Sequence, residues 1–153
     1  MRKRQGLRKG DFMAGRNFNG VQINQSATIV EKSGAEIEDC RNRAMVYDSD
    51  GNVVLAEDGT KPFVGIALIE SGFNDISGKE SGKVRKGDDV DIQIKDIGYL
   101  LAGAEIAKGA EVTGGTGGLA AAAASGDYVI GIALDAAEKD DYCCIQITKY
   151  QKN

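Results

Sequence analysis

The chain has 153 residues, 42% of them hydrophobic, no histidine, no tryptophan and a net charge of −4. This length suits one domain with a core of its own. The missing histidine removes the commonest general base and metal ligand, so any catalysis would rest on carboxylates, lysines or thiols, and no run approaches the roughly 18 apolar residues of a membrane span.

The first 12 residues hold Arg2, Lys3, Arg4, Arg8 and Lys9 against Asp11, a +4 arm on a body of −8. Residues 1–16 read as a basic, flexible arm, and no apolar stretch follows to make it a secretory signal. Such an arm can touch nucleic acid or an acidic protein surface, but the aromatic interleaving of a base-stacking platform is missing. Codons for Lys9-Gly10-Asp11 can form a purine run like a ribosome-binding site shortly before Met13. Residues 1–12 are therefore either a native arm or sequence ahead of a start at Met13.

Residues 17–153 read as a single β-rich domain. In 17–30, NFNGVQINQSATIV, Val21 and Ile23 alternate with Gln22 and Asn24, and Ala27 and Ile29 continue the pattern of a half-buried or edge strand. Next, Asp50-Gly51-Asn52 marks a turn between two β-prone runs, which predicts a hairpin. Pro62, the sole proline, precedes the apolar run FVGIALIE. Residues 71–82 form a polar loop. Val90, Ile92 and Ile94 then alternate with Asp91, Gln93 and Lys95 as a strand. The glycine-rich EVTGGTGGLAAAAASG holds five consecutive alanines, too short a run between glycines to nucleate a helix alone, and reads as a strand end or connection, with a short helical turn as the alternative. The last segment, DYCCIQITKY, alternates again.

Gly-Ile-Ala-Leu occurs twice, at Gly65, Ile66, Ala67, Leu68 and at Gly131, Ile132, Ala133, Leu134. With an ungapped shift of 66, residues 44–68 match 110–134 at eight of 25 positions, placing Val46 on Val112 and Gly51 on Gly117. That register favours a duplicated β-unit over chance recurrence of small residues. Two copies are too few for a solenoid, so they would form two halves of one sheet or barrel. Each copy would supply a buried strand, its glycine permitting close backbone approach and its Ile and Leu filling the core.

The chemical motifs are incomplete. Gly114 to Gly118 suggests a phosphate loop, but no lysine follows until Lys139, so the Walker pattern fails and a flexible turn is favoured. Lys86-Gly87-x-x-Val90 and Lys108-Gly109-x-x-Val112 suit turns feeding strands, without the modified-lysine tip of a biotinyl or lipoyl carrier. Two acidic groups, Asp48, Asp50, Glu57, Asp58 and Asp135, Glu138, Asp140, Asp141, lack the spacing of a calcium loop and read as solvated turn acids. Cys40, Cys143 and Cys144 are odd in number and form no C-x-x-C pair, which suits reduced thiols in a cytoplasmic product. No catalytic, cofactor or metal residue is assigned, and the chain is not expected to be an enzyme.

The order of these pieces resembles the small tailed-phage capsid cement, or head decoration, proteins, a family in which some members carry a recombinase-like label. The pieces are Lys108 to Val112, Thr113 to Gly118, Leu119 to Gly126, Val129 to Ala137 and Tyr142 to Thr148, together with FVGIAL, VDIQIKDIGYLL and residues 17–30. The loop at 71–82 departs from the compact family pattern. The resemblance implies an all-β fold, a compact barrel or β-tulip-like sandwich, often as a homotrimer. It implies a virion protein, made in the bacterial host cytoplasm, that binds the outside of the expanded capsid and stabilises it. Its partners would be the major capsid protein and itself, with no nucleic acid, membrane or cofactor. A strand including Asn17, Phe18, Val21, Ile23, Gln25, Ala27 and Ile29 could add to a sheet edge of the shell. The alternatives are another phage or cell-surface β-module that binds glycans or proteins, and, behind it, a nucleotide-binding protein.

Overall fold

The computed structural model describes residues 27–153. Among them, ten strands run in chain order: β1 (Thr28–Lys32), β2 (Ala44–Tyr47), β3 (Val53–Leu55), β4 (Phe63–Ala67), β5 (Asp89–Gln93), β6 (Ile97–Leu101), β7 (Glu111–Gly114), β8 (Ala120–Ala122), β9 (Tyr128–Ala133) and β10 (Tyr142–Gln151). A 3-10 turn at Thr116–Gly118 is the one helical element among the described residues. The strands form two antiparallel five-stranded sheets, ordered β1-β5-β4-β2-β3 and β6-β10-β9-β7-β8. The second order repeats the first, so the duplication extends to whole sheets.

The fold is all-β, as the alternating runs imply, and the two sheets make a sandwich. Neither sheet closes into a barrel. Each comes nearest to closure at a single parallel bridge, Ser33 to Val53 in the first and Ala102 to Ala120 in the second.

Strand pairing corrects the internal alignment. Gly65 lies opposite Met45, and its counterpart Gly131 lies opposite Val112, so Val112 corresponds to Met45 and not to Val46. The same offset holds in the next pair, where Met45 faces Leu55 and Val112 faces Ala122. The extra residue of the first copy falls in the β3–β4 connection. A slip of one residue moves a side chain to the other face of a sheet, so Val46 and Val112 occupy opposite faces of their sheets.

With this register the two cores match position by position. Ile37, Met45, Val53, Val64, Val90 and Ile92 fill the first, and Ile106, Val112, Ala120, Ile130, Cys143 and Ile145 stand in their places in the second. Of the repeated tetrapeptide, only the alanines belong to these matched cores. Ile66 is buried on the opposite face, packed toward the second sheet, while Ile132, Leu68 and Leu134 are half-buried. The glycines do serve close approach: a Cβ at Gly65 would collide with the carbonyl oxygen of Gln93, and one at Gly131 with that of Gln146.

The alternating run before and after Lys95 is two strands in different sheets, turning at Asp96 with φ 71°. The hairpin at Gly51 forms with φ 82°, and the alanine run supplies β8 and the connection after it. Of the candidate contact strand, Asn17, Phe18, Val21, Ile23 and Gln25 lie outside the described residues, as does the basic arm; Ala27 precedes β1 and Ile29 sits within it, opposite Ile92.

Candidate functional site

The polar groups picked out in the sequence are used in local structure. The Asp48 carboxylate accepts the backbone N–H groups of Asp50 and Asn52 at 2.8 and 3.0 Å, holding the hairpin turn. Asp58 accepts the Thr60 hydroxyl at 2.5 Å and the Thr60 N–H at 3.0 Å, which lowers its pKa below the ordinary aspartate value. Among the described residues no cluster of three or more Cys, Asp or Glu side chains could hold a metal ion. Burial pushes the Cys40 thiol up to about 11, and burial followed by the neighbouring Cys144 raises Cys143, so both are poor nucleophiles.

The glycine-rich turn is a seam between the sheets. The Gly117 carbonyl accepts from the Arg43 guanidinium at 2.9 Å, and Gly118 N–H donates to the Ala56 carbonyl at 2.7 Å. A Cβ at Gly114 would lie 2.6 Å from the Ala44 Cβ and 2.9 Å from the Phe63 ring. The turn thus lets the first sheet approach, and its N–H groups at Gly115 and Gly118 are already bonded to protein carbonyls.

The edge of β6 is also closed by the first sheet. The Gln93 amide donates to the carbonyls of Lys95 at 2.8 Å and Ile97 at 2.7 Å, while the Asn42 amide donates to Tyr99 O at 3.0 Å. Leu101 N–H donates to Asn42 O at 3.0 Å. Lys149 reaches back to the Val64 carbonyl at 2.8 Å, and burial lowers its pKa. Covering an edge in this way removes a template for unwanted pairing.

Two surfaces stand out as available for partners. The first is the outer face of β6 and β10, where Ile97, Tyr99 and Tyr142 are 54%, 53% and 56% exposed. The Cys144 thiol beside Tyr99, with the charge of Asp135 a smaller influence, holds that phenol above its ordinary pKa. The same positions of the first sheet carry Thr28, Val30, Lys32, Asp89 and Asp91, with Lys32 paired to Asp89 at 2.7 Å. The second surface is the loop at 71–82. Asp75 braces it by accepting from Ser77 and Glu80, Phe73 packs under the Arg85 guanidinium at 5.1 Å, and Ile76 is fully exposed. In the sequence, Tyr99 and Tyr142 look like members of ordinary alternating strands. Their exposure follows from which alternate set faces inward, which is Gly98 and Leu100 in β6 and Cys143 and Ile145 in β10.

The chain matches no protein-family model and no curated protein sequence. Four chains of solved structures resemble it. One is the N base of the head fiber gp8.5 of bacteriophage phi29, similar with a TM-score of 0.56 and 18% identity over 84% of this chain and 99% of that chain. At that identity the likeness speaks to the fold.

Proposed function

We propose that this chain is a structural protein of a phage virion that binds the outer surface of the expanded capsid and stabilises it, without catalytic activity. The observation that carries the reading is the fold it shares with a phage head fiber base across nearly the whole of that chain. The cement-like order of segments in the sequence supports it independently. So does the use of the candidate polar motifs in turns and seams, since cementing needs interfaces and no tuned pKa. On this reading the protein is a homotrimer whose other partner is the major capsid protein.

The test is co-sedimentation of the full chain with decoration-free expanded heads of the phage that encodes it, alongside unexpanded proheads. Saturable binding to expanded heads, with a gain in their thermal resistance, is the expected result. Absence of binding to both forms would refute the capsid role and favour a surface module, for which a glycan screen is the next measurement.

A further inference from the structure

The duplication supplies an internal control for the exposed face of the second sheet. Across β6, β10 and β9 the outward rows are Ile97–Gln146–Ile132, Tyr99–Cys144–Leu134 and Leu101–Tyr142. In the first sheet the same rows are Thr28–Gln93–Ile66, Val30–Asp91–Leu68 and Lys32–Asp89. Two differences matter. At the β1/β5 positions the first sheet carries Thr28, Lys32, Asp89 and Asp91 with Val30 as the one exposed apolar side chain, whereas the second carries Ile97, Tyr99, Leu101, Tyr142 and Cys144. The Gln93–Ile66 part of the first row is also covered, by the start of β6 and the turn before it, with Gln93 donating to the carbonyls of Ile97 and Lys95 and Ile66 beside Gly98. In the second sheet Gln146 is exposed and Ile132 half-buried, with nothing in the place of β6 among the described residues.

We infer that the outer face of β6 and β10 is the capsid-binding surface, and that its occupant is an extended edge segment of the shell protein. This rests on the capsid reading above. The internal precedent gives the geometry: the Gln146 amide takes a backbone carbonyl of the segment as Gln93 takes that of Ile97 at the start of β6, and Tyr99 and Tyr142 receive its apolar side chains. Aromatic anchors of this kind dominate protein interfaces. Charge gives the flanks. At the Ile97 end of the face Lys95 and Asp96 balance, whereas at the Tyr142 end Asp135, Glu138, Asp140 and Asp141 are exposed against Lys139 alone, so the segment is apolar in its centre and lysine- or arginine-rich at the end that meets Tyr142.

The experiment is titration of decoration-free expanded heads with wild type, with Tyr99→Ser/Tyr142→Ser, and with Val30→Ser/Lys32→Ser on the equivalent face of the first sheet. Thermal unfolding of each free protein checks the fold. Loss of both tyrosines is expected to weaken binding by about tenfold or more, with the first-sheet pair binding as wild type. Gln146→Ala, which leaves the aromatic surface intact, is expected to weaken it severalfold. Wild-type binding by the tyrosine variant would overturn the assignment while leaving the capsid role standing. Failure of wild type itself to bind would refute the capsid role and remove the basis of the assignment. A wild-type oligomer that dissociates in the tyrosine variant, with head binding retained, would give the face to a second copy and overturn the shell occupant.

Discussion

At three matched positions the first sheet carries Met45, Tyr47 and Ile29, and the second carries Val112, Gly114 and Gly98. The first therefore places its own side chains there, with Met45 buried, Ile29 half-buried and the exposed Tyr47 bonding Glu31. The second leaves space at Gly114 and Gly98, and residues from the first occupy it: Ala44, Ala56 and Phe63 at one glycine, Ile66 at the other. One strand order thus serves two purposes. The first sheet is built as a lid for the second, and the second depends on that lid for its density of packing.

The largest test of this asymmetry is a pair of matched truncations. Phe63 occupies the inter-sheet seam, whereas its counterpart Val129 is buried outside either main cluster. Phe63→Ala should destabilise the protein by about 3–5 kcal/mol, and Val129→Ala by clearly less. Urea denaturation of both would read the difference, and equal losses would contradict the lid. Next comes overpacking. Gly114→Ala puts a methyl against Ala44 and the Phe63 ring and should cost about 1–3 kcal/mol, while Tyr47→Ala, at the matched but exposed position, should cost less. Smaller again is the amide pair. Gln93→Ala frees the carbonyls of Lys95 and Ile97 at the seam and should cost about 1–2 kcal/mol, whereas Gln146→Ala, on the open face, should change stability by under about 0.5 kcal/mol.

Much of this was legible in the sequence, and the gaps have particular causes. Alternation at Val90 and Ile92 located β5, the turn at Gly51 located the first hairpin, and the repeated tetrapeptide announced the duplication. The alignment erred by one residue over β2 and β3 because small residues carried the identities, and small residues do not report which face they occupy. The matched pair β5 with β10 was hidden by the polar loop: the partners Ile66 and Gln93 are 27 positions apart, and Ile132 and Gln146 are 14 apart. The break at Asp96 was invisible since the left-handed residue is an aspartate and alternation resumes after it. The exposed aromatics needed the other sheet as reference, because period-two patterning marks two faces without saying which is wet.

The smallest effect concerns the position matched to Ala44, which is Glu111. Ala44 is buried beneath the second sheet, while Glu111 lies on the uncovered face and accepts from the Tyr150 hydroxyl and pairs with Lys152 at 3.1 Å. Those partners, Tyr150 foremost, lower its pKa below the ordinary glutamate value. A depressed folded pKa means the carboxylate contributes stability above the unfolded value of about 4.3, and that this contribution is lost as pH falls through the lower folded value. Thermal melts of wild type and Tyr150→Phe should therefore differ slightly at neutral pH and converge in acid below that range. A difference that persists unchanged into acid would mean the tyrosine acts by packing alone, and that the second sheet closes its outer face without help from this carboxylate.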